Sequence, residues 1–389
     1  MSITDVFTYE LPTKILYGVG AVSDAGEEIK SLGIEADKLM IVTDDGVKNA
    51  GLLEPVKESL EGAGLDHCVY SDVVPDSGVD IVEEATDLFQ KENCGAVLGI
   101  GGGSSMDTAK AVAAMATNPG SIMDYVGLEE IDNEPLPIIA VPTTAGTGSE
   151  VTVWAVISDK ANNIKTGVGS KMMMPDLAVC DPKLTVSLPP KVTAATGMDA
   201  LTHAVESYVN TATQPISEAM AVESIKSISD NLRQAVANGE NLEARDGMLM
   251  GSLTAALAFN ETRLGIAHAW SSPLGAYYPI SHGVANAILL PNVMEFNLIG
   301  NPKKYAHIAK LMGESTEGMS VMKAARQSVS AVRELMQDIG IPLHLKDVID
   351  IEEEMIPEIA EDAIQSGNND VNPRKPDIDD LIQICEKSL

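Results

Sequence analysis

The segment Ala96-Val97-Leu98-Gly99-Ile100-Gly101-Gly102-Gly103-Ser104-Ser105-Met106-Asp107 joins a short apolar run to a glycine-rich turn, and helical periodicity follows. An apolar run of this length is typical of a buried strand, and the glycines permit a close approach of the backbone to a ligand. Because the first amides of a helix lack partners, the turn could hold a phosphate. It is neither a GxGxxG fingerprint nor a Walker loop, so a glycine turn without a ligand is an equal alternative.

Strand-like and helix-like segments alternate on both sides of this turn. Apolar runs occupy 39–43, 67–70 and 136–141, and helical spacing of apolar residues occupies 52–62, 79–92 and 107–116. This alternation predicts a parallel sheet covered by helices. Beyond Asp181-Pro182 the strand-like runs disappear and helical periodicity dominates. We therefore predict a Rossmann-like α/β domain over residues 1–185 and an all-α domain over residues 186–389.

A second polar loop, Pro142–Glu150 (PTTAGTGSE), follows the apolar run 136–141. Loops at the carboxyl ends of parallel strands line the ligand crevice, so the two loops together indicate one bound nucleotide. Asp44 ends the first strand of the alternating region, where its carboxylate could accept hydrogen bonds from ribose hydroxyls and repel a 2′-phosphate. NAD is therefore favoured over NADP. A plain turn residue is the alternative for Asp44.

One carboxylate and three imidazoles could hold a single divalent metal ion. Asp199 and His203 are four residues apart, so a helix over residues 196–209 would project both from one face. His268 and His282 complete the set. Four unrelated polar side chains are the alternative interpretation.

His268 and His282 cannot share an ion if they lie on one straight helix. Fourteen residues at roughly 1.5 Å each would separate them by about 21 Å. The helix must therefore break between them, and the expected breaks are Pro273, Gly275, Pro279 and Gly283.

Composition limits the partners and the compartment. The chain has 389 residues and a net charge of −31, from 57 acidic and 26 basic residues, which disfavours binding to nucleic acid or anionic lipid. Such an acidic surface suits high salt, although an acidic protein of ordinary habitat is an equal alternative. The four cysteines form no CxxC pair, Met1–Gly18 does not resemble a signal peptide, and no apolar run would span a bilayer. We expect a cytoplasmic protein with a small-molecule partner.

Four motifs resemble the iron-containing (group III) alcohol dehydrogenase family, and the likeness runs over nearly the whole chain. They are Gly101–Asp107 (GGGSSMD), Pro142–Glu150 (PTTAGTGSE), Ala195–His203 (ATGMDALTH) and Pro279–Ala287 (PISHGVANA). The resemblance implies a dehydrogenase that moves hydride between a short-chain alcohol or aldehyde and NAD(H). It also implies a divalent metal, usually Fe²⁺ with Zn²⁺ or Mn²⁺ possible, and a homodimer or larger homo-oligomer.

The resemblance also assigns site residues by position. Asp199, His203, His268 and His282 match the family's metal ligands. The cofactor positions are Asp44, Gly102, Gly103, Ser104, Asp107, Thr143, Thr144, Thr152 and Lys165.

Departures from the family pattern bear on the substrate. The family commonly has a histidine four residues after His268, where this chain has Ser272, so proton exchange needs water, the nicotinamide ribose or another side chain. Arg263 stands where a small residue is usual and could bind an anionic group, which leads to a hypothesis of a small anionic aldehyde such as sulfoacetaldehyde. An outward-facing Arg263 that pairs with an acidic residue is the alternative. Trp154 and Phe259 complete the substrate-site candidates.

Two other classes of function compete with the dehydrogenase. A lyase similar to dehydroquinate synthase would also join a nucleotide domain to a metal-bearing helical domain, but the metal set of that family contains glutamate. A metal- or nucleotide-binding protein without turnover is favoured only by the missing histidine at Ser272.

Overall fold

The computed structural model describes residues 6–34, 36–159 and 164–389, so the start of the N-terminal segment Met1–Gly18 lies outside the described residues. The chain forms two compact units. We call Glu10–Leu188 the sheet unit, and Pro189–Leu389 with the residues up to Tyr9 the helical unit. The predicted division into independent domains at residues 185 and 186 stays a prediction.

The sheet unit is built on parallel strands. Among the described residues, a six-stranded sheet has the order β1-β9-β6-β4-β2-β3, with every pairing parallel, and a three-stranded sheet has the order β5-β8-β7. The predicted parallel sheet is thus confirmed. The strands are β1 (Lys14–Tyr17), β2 (Lys38–Asp44), β3 (Asp66–Val73), β4 (Ala96–Gly101), β5 (Gly127–Leu128), β6 (Ile138–Pro142), β7 (Trp154–Asp159), β8 (Ile164–Gly169) and β9 (Leu177–Cys180).

Helices cover both faces of the larger sheet, because its central strands are apolar on both sides. Leu39, Ile41 and Leu98 point into one buried cluster, whereas Met40 and Val97 point into another. The helices of this unit are α1 (Ala25–Ser31), α2 (Asp45–Asn49), α3 (Leu53–Gly62), α4 (Val79–Lys91) and α5 (Gly103–Met115).

The order of the strands reverses beside β2. The chain runs from β2 to the edge strand β3, then returns across β2 to β4. Ligands of open parallel sheets bind at such a reversal, outside the carboxyl ends of the strands. The ends of β2 and β4 are Asp44 and Gly101, so this edge carries two of the predicted cofactor segments.

The helical unit contains no strand among its described residues, as the sequence predicted. Its long helix α6 is buried along most of its length and packs against α7, α8 and α10. No helix of the described residues is both long and apolar enough to cross a membrane. The helices are α6 (Pro190–Val209), α7 (Pro215–Ala237), α8 (Leu242–Thr262), α9 (Ile266–Tyr277), α10 (His282–Asn297), α11 (Pro302–Leu311), α12 (Val321–Asp338), α13 (Ile356–Ile364) and α14 (Ile378–Glu386).

The break between His268 and His282 is shorter than predicted. Helix α9 runs through Pro273 and Gly275 to Tyr277, so the prediction that these two residues interrupt it is wrong. The interruption is confined to residues 278–281, which include Pro279. Proline near the end of a helix removes a single backbone hydrogen bond, and neighbouring packing tolerates that loss.

Candidate metal centre and nucleotide-binding loops

Three helices of the helical unit converge on the candidate metal centre. Asp199 and His203 lie on α6, His268 is in the first turn of α9, and His282 begins α10. Gly283 allows α10 to approach α6, because a Cβ at this position would lie 2.3 Å from the carbonyl oxygen of Ala195. The break before α10 therefore returns His282 to the face of α6 that carries Asp199.

Three of the predicted ligands form one cluster. The ligand atoms of Asp199, His268 and His282 all lie within 4.8 Å of one another. The Nε2 atoms of His268 and His282 are 3.8 and 3.9 Å from Oδ1 of Asp199. Two ligands that are each about 2.1 Å from a shared ion lie roughly 3–4 Å apart, so the cluster fits a divalent metal.

His203 adjoins this cluster without entering it. Its ring stacks on the ring of His268, with centroids 4.6 Å apart and planes at 20°. On its other side the centroid of Phe259 is 4.5 Å away. Phe259, a predicted substrate-site residue, is thus buried against a predicted ligand. The structure brings His203 next to the cluster but not into the same set of ligand atoms as the other three.

The buried carboxylate of Glu206 orients His268. Its Oε2 atom lies 2.7 Å from Nδ1 of His268 and accepts a hydrogen bond from the backbone N–H of Gly265, and its Oε1 accepts one from Ala267. A carboxylate offers only acceptors, so the Nδ1 atom facing it carries the proton. The lone pair of Nε2, which faces Asp199, is then available to a metal. Sequence reasoning missed Glu206, although it is three residues after His203 on the same helix.

Asn286 is a second residue that sequence reasoning missed. Its side-chain nitrogen donates to Oδ1 of Asp199 at 2.7 Å and lies 3.0 and 3.2 Å from Nε2 of His268 and His282. The cluster is therefore already arranged around a donor group. The available signal was its place in α10, one turn after His282.

The environment keeps Asp199 ionised. Burial alone would raise the pKa of this carboxyl, but the imidazoles of His203, His282 and His268, together with the amide of Asn286, lower it to about 2. A carboxylate in this state binds a cation without first losing a proton.

The predicted phosphate loop lies at the start of α5 in the sheet unit. Gly102 caps this helix, so no side chain occupies the position from which its first amides would be capped. Gly101 has φ 151°, and a Cβ there would lie 2.5 Å from Oγ of Ser105. The loop is joined to the second one, because N–H of Thr143 donates to the carbonyl of Gly101 at 2.9 Å. Thr144 lies beside Gly102.

Three other predicted cofactor residues, Asp44, Ser104 and Lys165, are linked to the start of α5. Asp44 caps α2 through Val47 and accepts a hydrogen bond from Oγ of Ser105 at 3.1 Å. Ser104 accepts a bond from the N–H of Asp76, whose carboxylate lies 2.6 Å from Nζ of Lys165. Asp76, which was not predicted, thus links Ser104 to Lys165.

Asp107 and Lys110, one turn apart on α5, hold the segment that follows the second loop. Asp107, predicted to bind cofactor, is buried and accepts bonds from Oγ of Ser149 at 2.6 Å and N–H of Val156 at 3.0 Å. Burial raises its pKa. Lys110, which was not predicted, donates to the carbonyls of Thr152 and Trp154 at 2.8 and 2.9 Å.

The ammonium group of Lys110 is buried away from solvent. Burial lowers the pKa of Lys110 to about 8, although the nearby carboxyls of Asp107 and Glu150 oppose this shift. Burial likewise raises the pKa of Glu150 to about 7, and its Oε1 has no hydrogen-bond partner among the described residues. Lys110 and Glu150 are thus buried next to the second loop and the segment that follows it.

Comparison with known proteins agrees with this arrangement. The profile described as "Iron-containing alcohol dehydrogenase" matches residues 12–182, and the profile described as "Fe-containing alcohol dehydrogenase family, C-terminal" matches residues 193–389. The chain belongs to the iron-containing alcohol dehydrogenase family. It is therefore an oxidoreductase of the type that acts on CH–OH donors, and the lyase and non-catalytic alternatives are not supported.

Three relatives illustrate the likeness. The 1,3-propanediol dehydrogenase of Citrobacter freundii is 42% identical, with 99% of each chain covered. A crystal structure of 1,3-propanediol oxidoreductase has a TM-score of 0.96 at 40% identity and covers 99% of this chain and 100% of its own. The sulfoacetaldehyde reductase of Bifidobacterium kashiwanohense, solved in complex with NAD+, has a TM-score of 0.89 at 31% identity, with 99% of each chain covered.

Three of the predicted substrate-site residues lie in different parts of the structure. Ser272 lies one turn after His268 on α9, at the position where the family resemblance places a histidine. Trp154 covers the paired strand β8, since a Cβ at Gly169 would lie 2.6 Å from its ring. Arg263 follows α8 with φ 62° and an exposed side chain, and its Nη1 lies close to Gly367.

Proposed function

We propose that the protein is an NAD(H)- and Fe²⁺-dependent alcohol dehydrogenase, or aldehyde reductase in the other direction, that acts on a short-chain substrate by hydride transfer. The observation that carries this proposal is the convergence of Asp199, His268 and His282 in a chain of the iron-containing family. His203 is proposed as the fourth ligand. When bound, the metal supplies a Lewis acid that stabilises the alkoxide form of the substrate.

The residues of the chain prepare this centre. Glu206 fixes His268 in the tautomer that presents Nε2. Asp199 would contribute a full negative charge to the ligand set, which favours the binding of a divalent cation. Phe259 packs against His203 and limits access of water to that side. Zn²⁺ and Mn²⁺ suit the same donor set, so availability decides among the metals.

The nucleotide is proposed to bind at the reversal beside β2. The start of α5 offers amides to the pyrophosphate, and Asp44 favours NAD over NADP because its carboxylate would repel a 2′-phosphate. The relative solved with NAD+ supports this choice. Residues of both loops are proposed to contact the cofactor: Gly102, Gly103 and Ser104 on the first, and Thr143 and Thr144 on the second. Thr152, which follows the second loop, and Lys165 are proposed to contact it as well. Asp107 is proposed to position the cofactor site indirectly, by accepting hydrogen bonds from Ser149 and Val156.

The proton is proposed to reach the substrate oxygen through water. Ser272 takes the place of the family's usual histidine, and a serine hydroxyl is too weak an acid to replace imidazole by itself. Ser272→His therefore restores a titrating group one turn after His268. We expect the variant to acquire a rate dependence near the histidine pKa that the parent protein lacks.

A small anionic aldehyde is the second candidate substrate. One relative is named sulfoacetaldehyde reductase, which supports this class of substrate. The strained backbone of Arg263 supports it as well, since such strain concentrates at ligand-binding positions. Arg263→Ala should raise KM for an anionic aldehyde and leave KM for a neutral one unchanged, while Arg263→Lys should retain part of the preference. Equal constants for both aldehydes in all three proteins would refute the anion pocket.

The proposal is tested by anaerobic NADH oxidation with iron-reconstituted protein. Acetaldehyde, propionaldehyde, lactaldehyde and sulfoacetaldehyde are compared at low and high salt. Asp199→Asn should abolish turnover but retain NADH binding, whereas absence of turnover by the parent protein with every substrate would contradict the proposal. We further propose a cytoplasmic homodimer or larger homo-oligomer, which light scattering would test.

A further inference from the structure

Two cysteines of the sheet unit lie in contact. The Sγ atoms of Cys68 and Cys94 are 3.5 Å apart, and both cysteines are free thiols. Cys68 is on the edge strand β3, and Cys94 lies in the turn between α4 and β4. We propose that these two residues form an oxidisable dithiol, which a small disulfide converts into an intramolecular Cys68–Cys94 bridge.

The local structure permits the required closure. Bonded sulfur atoms are about 2.05 Å apart, so the pair must close by roughly 1.5 Å. Among the described residues β3 is the edge strand next to β2, and an edge strand shifts with less disruption than a central one. The turn that carries Cys94 contains Asn93 in the left-handed region, at φ 53°.

The difference in burial sets the order of the two steps. Cys68 is partly exposed, whereas Cys94 is buried. Burial raises the pKa of both thiols, that of Cys94 to about 12. The thiolate of Cys68 attacks one sulfur of the small disulfide, and the other sulfur leaves as a thiol that takes up the proton lost by Cys68. The thiolate of Cys94 then attacks Sγ of Cys68 and expels the second small thiol. The two cysteines lose two electrons, and the small disulfide is reduced by the same two.

The surrounding charges select among oxidants. Glu92 pairs with Lys38 beside the thiols, with 2.6 Å between Oε2 and Nζ, so the charge of this lysine is largely neutralised. Asp66 adds a further negative charge near Cys68. An anionic disulfide such as oxidised glutathione should therefore react more slowly than a neutral one, and added salt should narrow the difference.

The bridge would lie at the amino ends of the strands. Cys68 pairs with Met40 near the start of β2, and Cys94 precedes β4. The predicted cofactor segments lie at the opposite ends, around Asp44 and Gly101. Oxidation should therefore leave NADH affinity within about twofold of the reduced protein. Oxidation should also raise the thermal unfolding midpoint of the sheet unit by roughly several degrees. The bridge links residues 26 positions apart and so restricts the unfolded chain.

The experiment treats the full chain with bis(2-hydroxyethyl) disulfide under native conditions and counts free thiols after denaturation. We expect a fall from four thiols to two, with the buried Cys180 and Cys385 remaining. Trypsin cuts after Lys91, so the bridge would join the otherwise separate peptides 58–91 and 92–110. Dithiothreitol should release both peptides and return the unfolding midpoint to its original value.

Matched single variants identify the order of attack. Cys94→Ser should accumulate one mixed disulfide on Cys68, whereas Cys68→Ser should remain unmodified under the same conditions. The proposal would be overturned by parent protein that retains four thiols, by two separate adducts without a linked peptide, or by a linkage that involves Cys180 or Cys385. None of these measurements uses catalytic activity, so they are independent of the proposed function.

Discussion

Replacement of Glu206 by glutamine tests how the protein prepares its candidate metal centre. The buried carboxylate accepts hydrogen bonds from Gly265 and Ala267 and faces Nδ1 of His268. Glutamine has nearly the same shape but offers one oxygen and one amide group. In either orientation, the amide donor faces a backbone N–H that has lost its acceptor. The charge and the hydrogen-bonding pattern change whereas the size of the side chain does not, so the effect does not arise from a cavity.

The expected magnitude follows from the lost bonds. If the glutamine oxygen faces His268, the bond to Ala267 is lost, at about 1.5–3 kcal/mol of folding stability for a buried bond to a charged group. If it faces Ala267, His268 loses its acceptor and is free to adopt the other tautomer. Loss of such an outer partner of a metal-binding histidine weakens metal affinity by roughly 10–100-fold. Metal affinity should therefore fall by about that factor.

The assay is anaerobic competition for Fe²⁺ or Zn²⁺ against a chelator of known affinity. Thermal unfolding of the metal-free protein is measured in parallel, to separate folding from binding. Glu218→Gln is the matched control, because Glu218 belongs to the same helical unit and pairs with Lys304 away from the metal centre. If Glu206→Gln destabilised the metal-free protein but left metal affinity within twofold, Glu206 would only support packing, and the tautomer argument would be refuted.

Three further predictions concern other parts of the site. His203→Ala should lower metal affinity by at least tenfold if His203 is the fourth ligand, whereas His307→Ala should not, since His307 pairs with Tyr208; chelator competition compares them. Lys110→Met should weaken NADH binding about tenfold in a fluorescence titration, because the substitution frees the segment after the second loop. Unchanged affinity would show that the hydrogen bonds of Lys110 to this segment do not support the cofactor site. Burial raises the pKa of Glu150 from 4.5 to about 7. Between these two pH values the folded protein therefore keeps a proton that the unfolded chain releases. Stability should therefore fall by about 3 kcal/mol as pH rises from 4.5 to 7, and urea unfolding of Glu150→Gln should lose that dependence.

The fold was predictable because its signals are local and repeated. The apolar runs 39–43, 67–70 and 96–100 lie within the observed β2, β3 and β4, and the run 136–141 overlaps β6 from residue 138 onward. The short strands β1 and β9 carry few residues, and their pairing depends on segments far apart in sequence, so no local pattern identified them. Pro273 and Gly275 were wrongly expected to end a helix. Their intrinsic preference was overridden by the packing of α9 against α10 and α13.

The residues of the candidate metal centre and of the predicted phosphate loop could be found from sequence, whereas those that position them could not. Spacing of four on a helix indicated Asp199 and His203, and adjacent glycines indicated the loop before α5. Glu206 looks like any other helical glutamate until α9 places the amides of 265 and 267 against it. Lys110 likewise looks like a solvated lysine, yet it is fully buried. Their roles depend on contacts between distant segments, which sequence periodicity does not encode.

The same distinction explains why Asp107 was assigned to the cofactor. The assignment rests on its place in the motif Gly101–Asp107 that resembles the family, and it stays a prediction. In the fold its oxygens face Ser149 and Val156, and so bind the protein itself. Asp107 holds both ends of the segment 149–156 through Ser149 and Val156, and Lys110 holds its middle through Thr152 and Trp154. Both residues lie on α5, whose start forms the predicted phosphate loop. A single helix thus positions both candidate nucleotide loops, and substitutions at either residue should perturb the two loops together.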